Sequence, residues 1–209
     1  QDNLETLGLV SVVYPKLQFI QQTPDFQHRH LTMDLPEWRS FLKITLDFFI
    51  RHYLILRMPY DWSSWSGNRI PCKVLITPNV VPTFSKRNVL WPKVNTGRTN
   101  SKLVRLLIRA LNANVYNDVD RDAINQILIL AFEELTKVGL LQKQGEVWLL
   151  DPVDFAFTIP RETWICPVTG QILDATLKEV TPLTPKRLKH NELLTCQPMV
   201  MPSADRQWL

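Results

Sequence analysis

Apolar residues recur at helical spacing in three stretches of the chain, of which the first is residues 34–57. Asp34 can cap this helix, Pro36 lies in its first turn, and Glu37 follows Asp34 by three positions, as in a capping box. A broad aromatic stripe then follows: Trp38, Phe41, Leu42, Leu46, Phe49, Tyr53 and Leu56. Because such a stripe normally packs into a core, the pattern predicts a buried amphipathic helix.

Two further amphipathic helices are predicted in the second half of the chain. Residues 101–111 place leucines on one face and basic residues on another. A second pattern begins at Asp120, a capping residue, and runs to about Val138, after which Gly139 is typical of a left-handed helix end. Its apolar face comprises Ile124, Ile127, Leu128, Ala131, Phe132, Leu135 and Val138.

A short hairpin is predicted directly after the last of these helices. Residues 140–150 contain two strand-like runs that flank Gln144-Gly145, a pair suited to a tight turn. Helix, helix and hairpin, with a glycine before the hairpin, is the order typical of a winged helix. The expected fold class is therefore α+β, mainly α, with a winged-helix domain at residues 100–151; another small α+β arrangement is the alternative.

The segments on either side of the predicted winged helix contain many prolines and only short strand patterns. Strands are predicted at residues 9–14, 73–77 and 80–81, and a further hairpin at residues 163–173. After Pro182 the pattern fades, and we expect irregular structure. Four segments are thus expected: an N-terminal segment 1–33, an aromatic helix with a basic Pro-rich loop region 34–99, the winged helix 100–151, and a hairpin with a Pro-rich tail 152–209.

Residues 62–117, the acid-free segment, contain no Asp or Glu, and this changes the interpretation of the chain. The 209 residues include 24 Lys and Arg against 20 Asp and Glu, a formal net charge of +4. Nine of the basic residues lie in the acid-free segment, so the rest of the chain is net acidic. Such a local concentration of positive charge indicates a polyanionic partner.

The acid-free segment supplies most of a candidate nucleic-acid-binding site. Lys and Arg side chains suit phosphate contacts, and Trp91 can stack on a base. The alternatives are a solvated basic surface and a Trp91 buried in the core. The last helix instead carries Glu133 and Glu134, whose carboxylates would oppose phosphates. The expected contact residues are Lys86, Arg87, Trp91, Lys93, Arg98, Lys102, Arg105, Arg109 and, from the hairpin, Lys143.

Motifs for catalysis or for cofactor binding are not found in the sequence. None of the six glycines belongs to a phosphate-binding loop, and neither Gly-x-Ser-x-Gly nor His-Glu-x-x-His occurs. Cys166 begins half of a zinc knuckle, but no second cysteine follows within two to four positions. The most apolar stretch, residues 44–56, is interrupted by charged residues and is too short for a membrane span. We expect no cofactor, no metal, no membrane partner and a cytoplasmic location.

Five short motifs carry a resemblance to a known family: Leu4–Val10, Glu37–Leu42, Leu90–Lys93, Lys102–Leu107 and Trp164–Gly170. Together they resemble the region beyond the two motor domains of very large bacterial DEAD/DEAH-box helicase-like proteins, some of which belong to phage-defence or DNA-repair systems. The resemblance covers residues 1–185 and implies a superfamily 2 helicase whose accessory winged helix guides or separates DNA strands. The motor domains that hydrolyse ATP would then lie outside this chain, which has no Walker A motif and no Asp-Glu-x-x box.

Two functions therefore remain open at the level of sequence. The first is an accessory segment that binds single- or double-stranded DNA. The second is a non-enzymatic interaction module, in which the winged helix and the helix of residues 34–57 dock onto a protein partner or onto the parent helicase. Basic residues buried in ion pairs would favour the second function. The opening residues resemble the middle of a helix, so we expect a piece of a longer protein or a processed product.

Overall fold

The computed structural model describes residues 4–5, 7–25, 28, 31–57, 73–76, 87–166, 169, 171–182 and 197–199. These residues form an α+β fold with three α-helices and three small sheets. The helices are α1 (Leu35–Tyr53), α2 (Lys102–Ala110) and α3 (Asp118–Lys137). The strands are β1 (Ser11–Val13), β2 (Val74–Ile76), β3 (Asn88–Leu90), β4 (Leu141–Gln144), β5 (Val147–Leu150), β6 (Ala156–Thr158), β7 (Thr163–Ile165), β8 (Ile172–Leu173) and β9 (Gln197–Met199).

Helix α1 begins with the capping box that the sequence predicts. The Glu37 backbone N–H donates to Asp34 Oδ1 at 2.8 Å, and the Asp34 backbone N–H donates to Glu37 Oε1 at 3.1 Å. The helix ends earlier than expected, because Leu54 adopts a left-handed conformation with φ of 50°. Glycine is the usual residue at such a position, so the sequence gives no warning of this end.

Helices α2 and α3 confirm the two predicted helices with small shifts in their starts. The Ser101 side chain caps α2 by accepting from the Val104 backbone N–H. Helix α3 begins before the predicted cap, because Asn117 accepts from the Val119 backbone N–H and so caps the helix itself. Asp120 is therefore not the capping residue; its side chain instead accepts from the Asn114 backbone N–H at 2.8 Å.

The largest sheet has four strands in the order β3-β2-β5-β4. Strands β4 and β5 form the predicted hairpin, with Gly145 at a φ of 61° in its turn. Strand β2 confirms the strand predicted at residues 73–77; it runs antiparallel to β5 and parallel to β3, which the sequence pattern missed. The strand predicted at residues 80–81 lies outside the described residues.

The two smaller sheets contain strands from both ends of the described chain, β1 in one sheet and β9 in the other. Strand β1, predicted from its β-branched residues, pairs antiparallel with β6. Strands β7 and β8 confirm the hairpin predicted at residues 163–173. Strand β9 pairs with the other edge of β7, so the expectation of irregular structure after Pro182 is wrong for these three residues.

One large hydrophobic cluster draws on all four predicted segments. Its fully buried members include Leu31, Phe41, Leu107, Leu135 and Leu177. Burying each large apolar side chain stabilises a fold by about 1.5–3 kcal/mol, so this cluster fixes how the helices and the main sheet sit together. Among the described residues, the helices are all too short or too polar to cross a membrane.

Candidate functional site

A cavity of about 520 Å³ lies between the loop that follows β3 and the first two turns of α3. We call it the loop cleft. Its lining is mostly polar and contains two of the predicted contact residues: Lys93, Val94, Asn95, Thr96, Gly97, Arg98, Arg121 and Asn125. Lys93 and Arg98 are both exposed, so their charged ends are accessible from solvent.

The loop that forms this cleft is fixed by three hydrogen bonds. The backbone N–H of the buried Val94 donates to Asn125 Oδ1 on α3 at 2.9 Å. The backbone N–H of Asn95 donates to Asn100 Oδ1 at 2.7 Å, and Asn100 Nδ2 donates back to the Asn95 carbonyl at 3.1 Å. Lys93 and Arg98 are therefore presented by an ordered loop, and the NH₂ group of Asn125 is left to donate to another acceptor.

Arg121 is the cleft residue that sequence reasoning missed. Its Nη2 lies 2.5 Å from Asp118 Oδ1, and the Asp118 side chain is 79% exposed. Arg121 stands between acidic residues just beyond the acid-free segment, so a search for stretches without carboxylates passes over it. Its spacing of four from Asn125 puts both on one helix face, but the sequence does not show that this face borders the loop.

Helix α2 carries three predicted contact residues, Lys102, Arg105 and Arg109, on one face, which we call the α2 stripe. Lys102 is exposed and the two arginines are half-buried, and the buried Nε of Arg105 has no hydrogen-bond partner among the described residues. Burial, followed by the neighbouring Arg105 charge, lowers the pKa of Arg109. Within the described chain, none of the three forms an ion pair with a carboxylate.

Trp91 lies in the core and is only 2% exposed. Its indole Nε1 donates to the Leu128 carbonyl at 2.7 Å, and its ring stacks on Phe49 at a centroid distance of 5.1 Å. The edge of Phe132 packs against it at 5.2 Å. The prediction that Trp91 stacks on a base is therefore wrong: both its ring and its one donor are already engaged within the protein.

The remaining predicted contact residues do not join these two surfaces into one described site. Arg87, directly before β3, and Lys143, in β4, are exposed. The order β3-β2-β5-β4 puts their strands at opposite edges of the sheet, three strand spacings or roughly 14 Å apart. Lys86 lies outside the described residues.

A second cluster of charged side chains, which we call the Lys43 network, joins Lys43 and Asp47 of α1 to Asp174. Lys43 Nζ lies 2.8 Å from Asp47 Oδ2 and 2.9 Å from Asp174 Oδ2. The Tyr14 hydroxyl donates to Asp47 Oδ1 at 2.7 Å, and the Ser11 hydroxyl donates to Asp174. Its charges are paired with one another and its oxygens accept hydrogen bonds, so the network fastens distant segments onto α1 and leaves little charge for a ligand.

The Lys43 network makes stability fall in acid. Burial alone would raise the pKa of Asp174, but the Lys43 ammonium and the Ser11 hydroxyl bring it below its ordinary value of 3.8. A carboxyl with a depressed pKa in the folded state stabilises the fold above its unfolded pKa, and this contribution is lost as the pH falls through the folded value. We expect the free energy of unfolding to decrease below about pH 4, and to decrease less steeply in Asp174→Asn. Urea titrations at a series of pH values measure both slopes; equal slopes would contradict the assignment.

Metal-ligating residues and similarity to known proteins were the two remaining indications of function. Among the described residues, no three His, Cys, Asp or Glu side chains are grouped closely enough to hold a metal ion, and Cys166 is buried beneath Trp164. No protein-family model, curated protein or solved structure gives a significant match to the chain.

Proposed function

We propose that this chain is a nucleic-acid-binding accessory module that contacts phosphates through the α2 stripe and the loop cleft. The observation that carries the proposal is a set of cations without described carboxylate partners: Lys93, Arg98, Lys102, Arg105 and Arg109. Outside the acid-free segment, six described basic residues form ion pairs with Asp or Glu, namely Lys16, Lys43, Arg51, Arg57, Arg121 and Lys178, whereas Arg39, Lys137, Lys143 and Arg161 form no described ion pair.

The electrostatics of the α2 stripe favour a polyanion as the missing partner. Arg105 and Arg109 are four positions apart, half-buried and of like charge, which is an unfavourable arrangement for the isolated protein. A phosphate backbone would supply negative charges at repeated intervals, and the release of its counterions would add to the affinity. Neutralising these cations would relieve the repulsion between them.

The order of the elements supports a winged helix with boundaries other than 100–151. Helix α1, strands β2 and β3, helices α2 and α3, and the hairpin of β4 and β5 follow in this order among the described residues, and β2 joins the hairpin at Leu75 and Trp148. Strand β2, which pairs with the hairpin, follows α1 and precedes α2. We therefore assign α1, rather than α2, as the first helix of the module, and α2 and α3 as its second and third helices. Residues 111–117 form the turn between them.

The five short motifs support placing this module in a DEAD/DEAH-box helicase-like protein. In that setting the α2 stripe would hold a DNA strand at the motor domains, and the motor domains would provide the ATP hydrolysis. The module itself would guide the strand without catalysis of its own.

A second candidate function, protein docking, is favoured by one specific feature. Strand β6 and its flanks expose three large apolar side chains within seven residues: Val153 is 84% exposed, Phe157 70% and Ile159 75%. Concentrations of exposed apolar side chains often mark contacts with another protein. This surface would suit a protein partner or another part of a longer chain.

The double variant Lys102→Gln with Arg109→Gln tests the proposed function. We expect its affinity for DNA to fall at least about tenfold, because two charge-assisted phosphate contacts are lost. The slope of log affinity against log salt should become shallower by about 2. Fluorescence anisotropy with single- and double-stranded oligonucleotides across a salt series measures both quantities.

Arg161→Gln is the control, since Arg161 is basic and exposed but lies outside the acid-free segment. It should leave affinity and salt slope unchanged. The proposal fails if the native chain does not bind DNA at low salt, or if the double variant binds as the native chain does.

A further inference from the structure

We infer that the loop cleft binds a phosphomonoester, either the terminal phosphate of a nucleic-acid strand or the phosphate of a free nucleotide. This inference rests on the proposed function and deepens it, since it gives the loop cleft a ligand different from that of the α2 stripe. Charge, size and order of the cleft each support it.

The charge of the cleft matches a group that carries two negative charges. Lys93, Arg98 and Arg121 line one cavity. Among the described carboxylates, the exposed Asp118 pairs with Arg121, and none pairs with Lys93 or Arg98. Three cations and one carboxylate leave a local charge of about +2. A phosphodiester carries one negative charge, whereas a phosphomonoester carries about −1.5 to −2 at pH 7. The match therefore favours a terminal phosphate over an internal one.

The loop cleft is large enough for the end of a strand. Its volume of about 520 Å³ falls within the range of roughly 300–1,000 Å³ that is typical of sites for whole small ligands. The cavity thus has room for the sugar next to the phosphate. Thr96 and the NH₂ group of Asn125 line it and can hydrogen-bond to that sugar.

The order of the cleft separates it from the α2 stripe. The loop is held to α3 by the bond from Val94 to Asn125 and closed by the bonds between Asn95 and Asn100, so its cations need little rearrangement to bind. The α2 stripe is a row of cations along one helix face and suits successive phosphodiesters. The two surfaces therefore have different ligands: the α2 stripe contacts the backbone of a nucleic-acid strand, and the loop cleft binds the terminal phosphate of that strand.

The experiment compares oligonucleotides of one sequence that carry a 5′-phosphate, a 3′-phosphate or hydroxyls at both ends. We expect the native chain to bind one of the phosphorylated strands about tenfold more tightly than the hydroxyl strand at equal salt. Arg98→Gln with Arg121→Gln should abolish this preference, so that the three strands bind with equal affinity. The stripe variant Lys102→Gln with Arg109→Gln should weaken binding of all three strands and keep the preference.

Gly97→Trp is a second variant that blocks the cleft without a change of charge. A Cβ atom at Gly97 meets no heavy atom within 4 Å, so a side chain can begin there without displacing the loop. It should also abolish the preference, and circular dichroism checks that each variant is folded.

Competition with a nucleoside monophosphate identifies the source of the phosphate. If it displaces the phosphorylated strand at a concentration near its own Kd, the cleft also takes free nucleotides, and the inference holds for that source. Equal binding of all three strands, with no binding of the monophosphate and with a salt slope that depends on the α2 stripe, would overturn the inference and leave the proposed function intact. A chain that binds the monophosphate but no strand would retain the inference and reject the proposed function; a chain that binds neither rejects both.

Discussion

Replacing Lys43 by methionine is expected to destabilise the fold by about 3–5 kcal/mol, because it leaves two buried carboxylates without their counterion. The Lys43 side chain is 14% exposed and that of Asp47 8%, so water can do little to replace the lost charge. Arg51 remains near Asp47, but its Nη2 lies 3.9 Å from the carboxylate and the Arg51 side chain is 44% exposed. Unfolding in urea, followed by circular dichroism, measures the loss.

Lys178→Met is the control for this prediction. Lys178 pairs with Glu37 at 2.7 Å, but both side chains are partly exposed, and surface pairs of this kind contribute about 0–1 kcal/mol. The penalty of Lys43→Met should also shrink in acid, where the Asp174 carboxyl becomes protonated and needs no counterion. A loss below about 1 kcal/mol at neutral pH would show that the Lys43 network is not what holds these segments together.

Replacing Trp91 by alanine is expected to cost about 3–5 kcal/mol of stability, as large-to-small substitutions of buried aromatic residues do. The change removes the ring that packs between Phe49 and Phe132 and the hydrogen bond to the Leu128 carbonyl. The milder Trp91→Phe keeps an aromatic ring and loses the indole donor, so it should cost about 1–3 kcal/mol.

DNA binding separates this core role from a stacking role for Trp91. Measured on the folded protein, the affinity of Trp91→Phe for single-stranded DNA should equal that of the native chain. A variant that keeps its stability but loses affinity for single strands would restore Trp91 to the contact surface. The loop cleft is held to α3 near Trp91, so partial unfolding of a variant would by itself lower its affinity for DNA. The comparison therefore needs the fraction of folded protein in each sample.

The helices were predictable because their signals are local. A capping box such as that of Asp34 and Glu37 acts within one turn, and Gly139 follows α3 with a φ of 78°, so neither needs information from elsewhere in the chain. The ends that departed from prediction lack such a signal. Leu54 is left-handed without being a glycine, and Asn117 competes with Asp120 for the cap of α3.

Pairing between distant segments explains most of what the sequence did not show. Strands β3 and β6 are three residues long, too short to display alternation, and each is defined by a partner elsewhere in the chain. The burial of Trp91 likewise depends on Phe49 from α1 and Leu128 from α3. No residue next to Trp91 in the sequence distinguishes a core position from an exposed one.

The candidate site was partly predictable for a different reason. A stretch without Asp or Glu cannot neutralise its own cations locally, so the exposed Lys93, Arg98 and Lys102 follow from composition alone. The same criterion excludes Arg121, whose position in the loop cleft arises when α3 packs beside the loop. Charge composition thus identifies the surface, and only the packing of helices identifies which cations meet.

The bond from Ser11 to Asp174 has a consequence for the order in which the fold assembles. It joins residues 163 positions apart in the chain, whereas a helix such as α1 forms from contacts four positions apart. Closing so long a loop costs conformational entropy that is recovered only once both ends and Lys43 are in place. Contacts of this sequence separation slow folding, so we expect the bond from Ser11 to Asp174 to form later than the bond from Tyr14 to Asp47, which joins residues 33 positions apart.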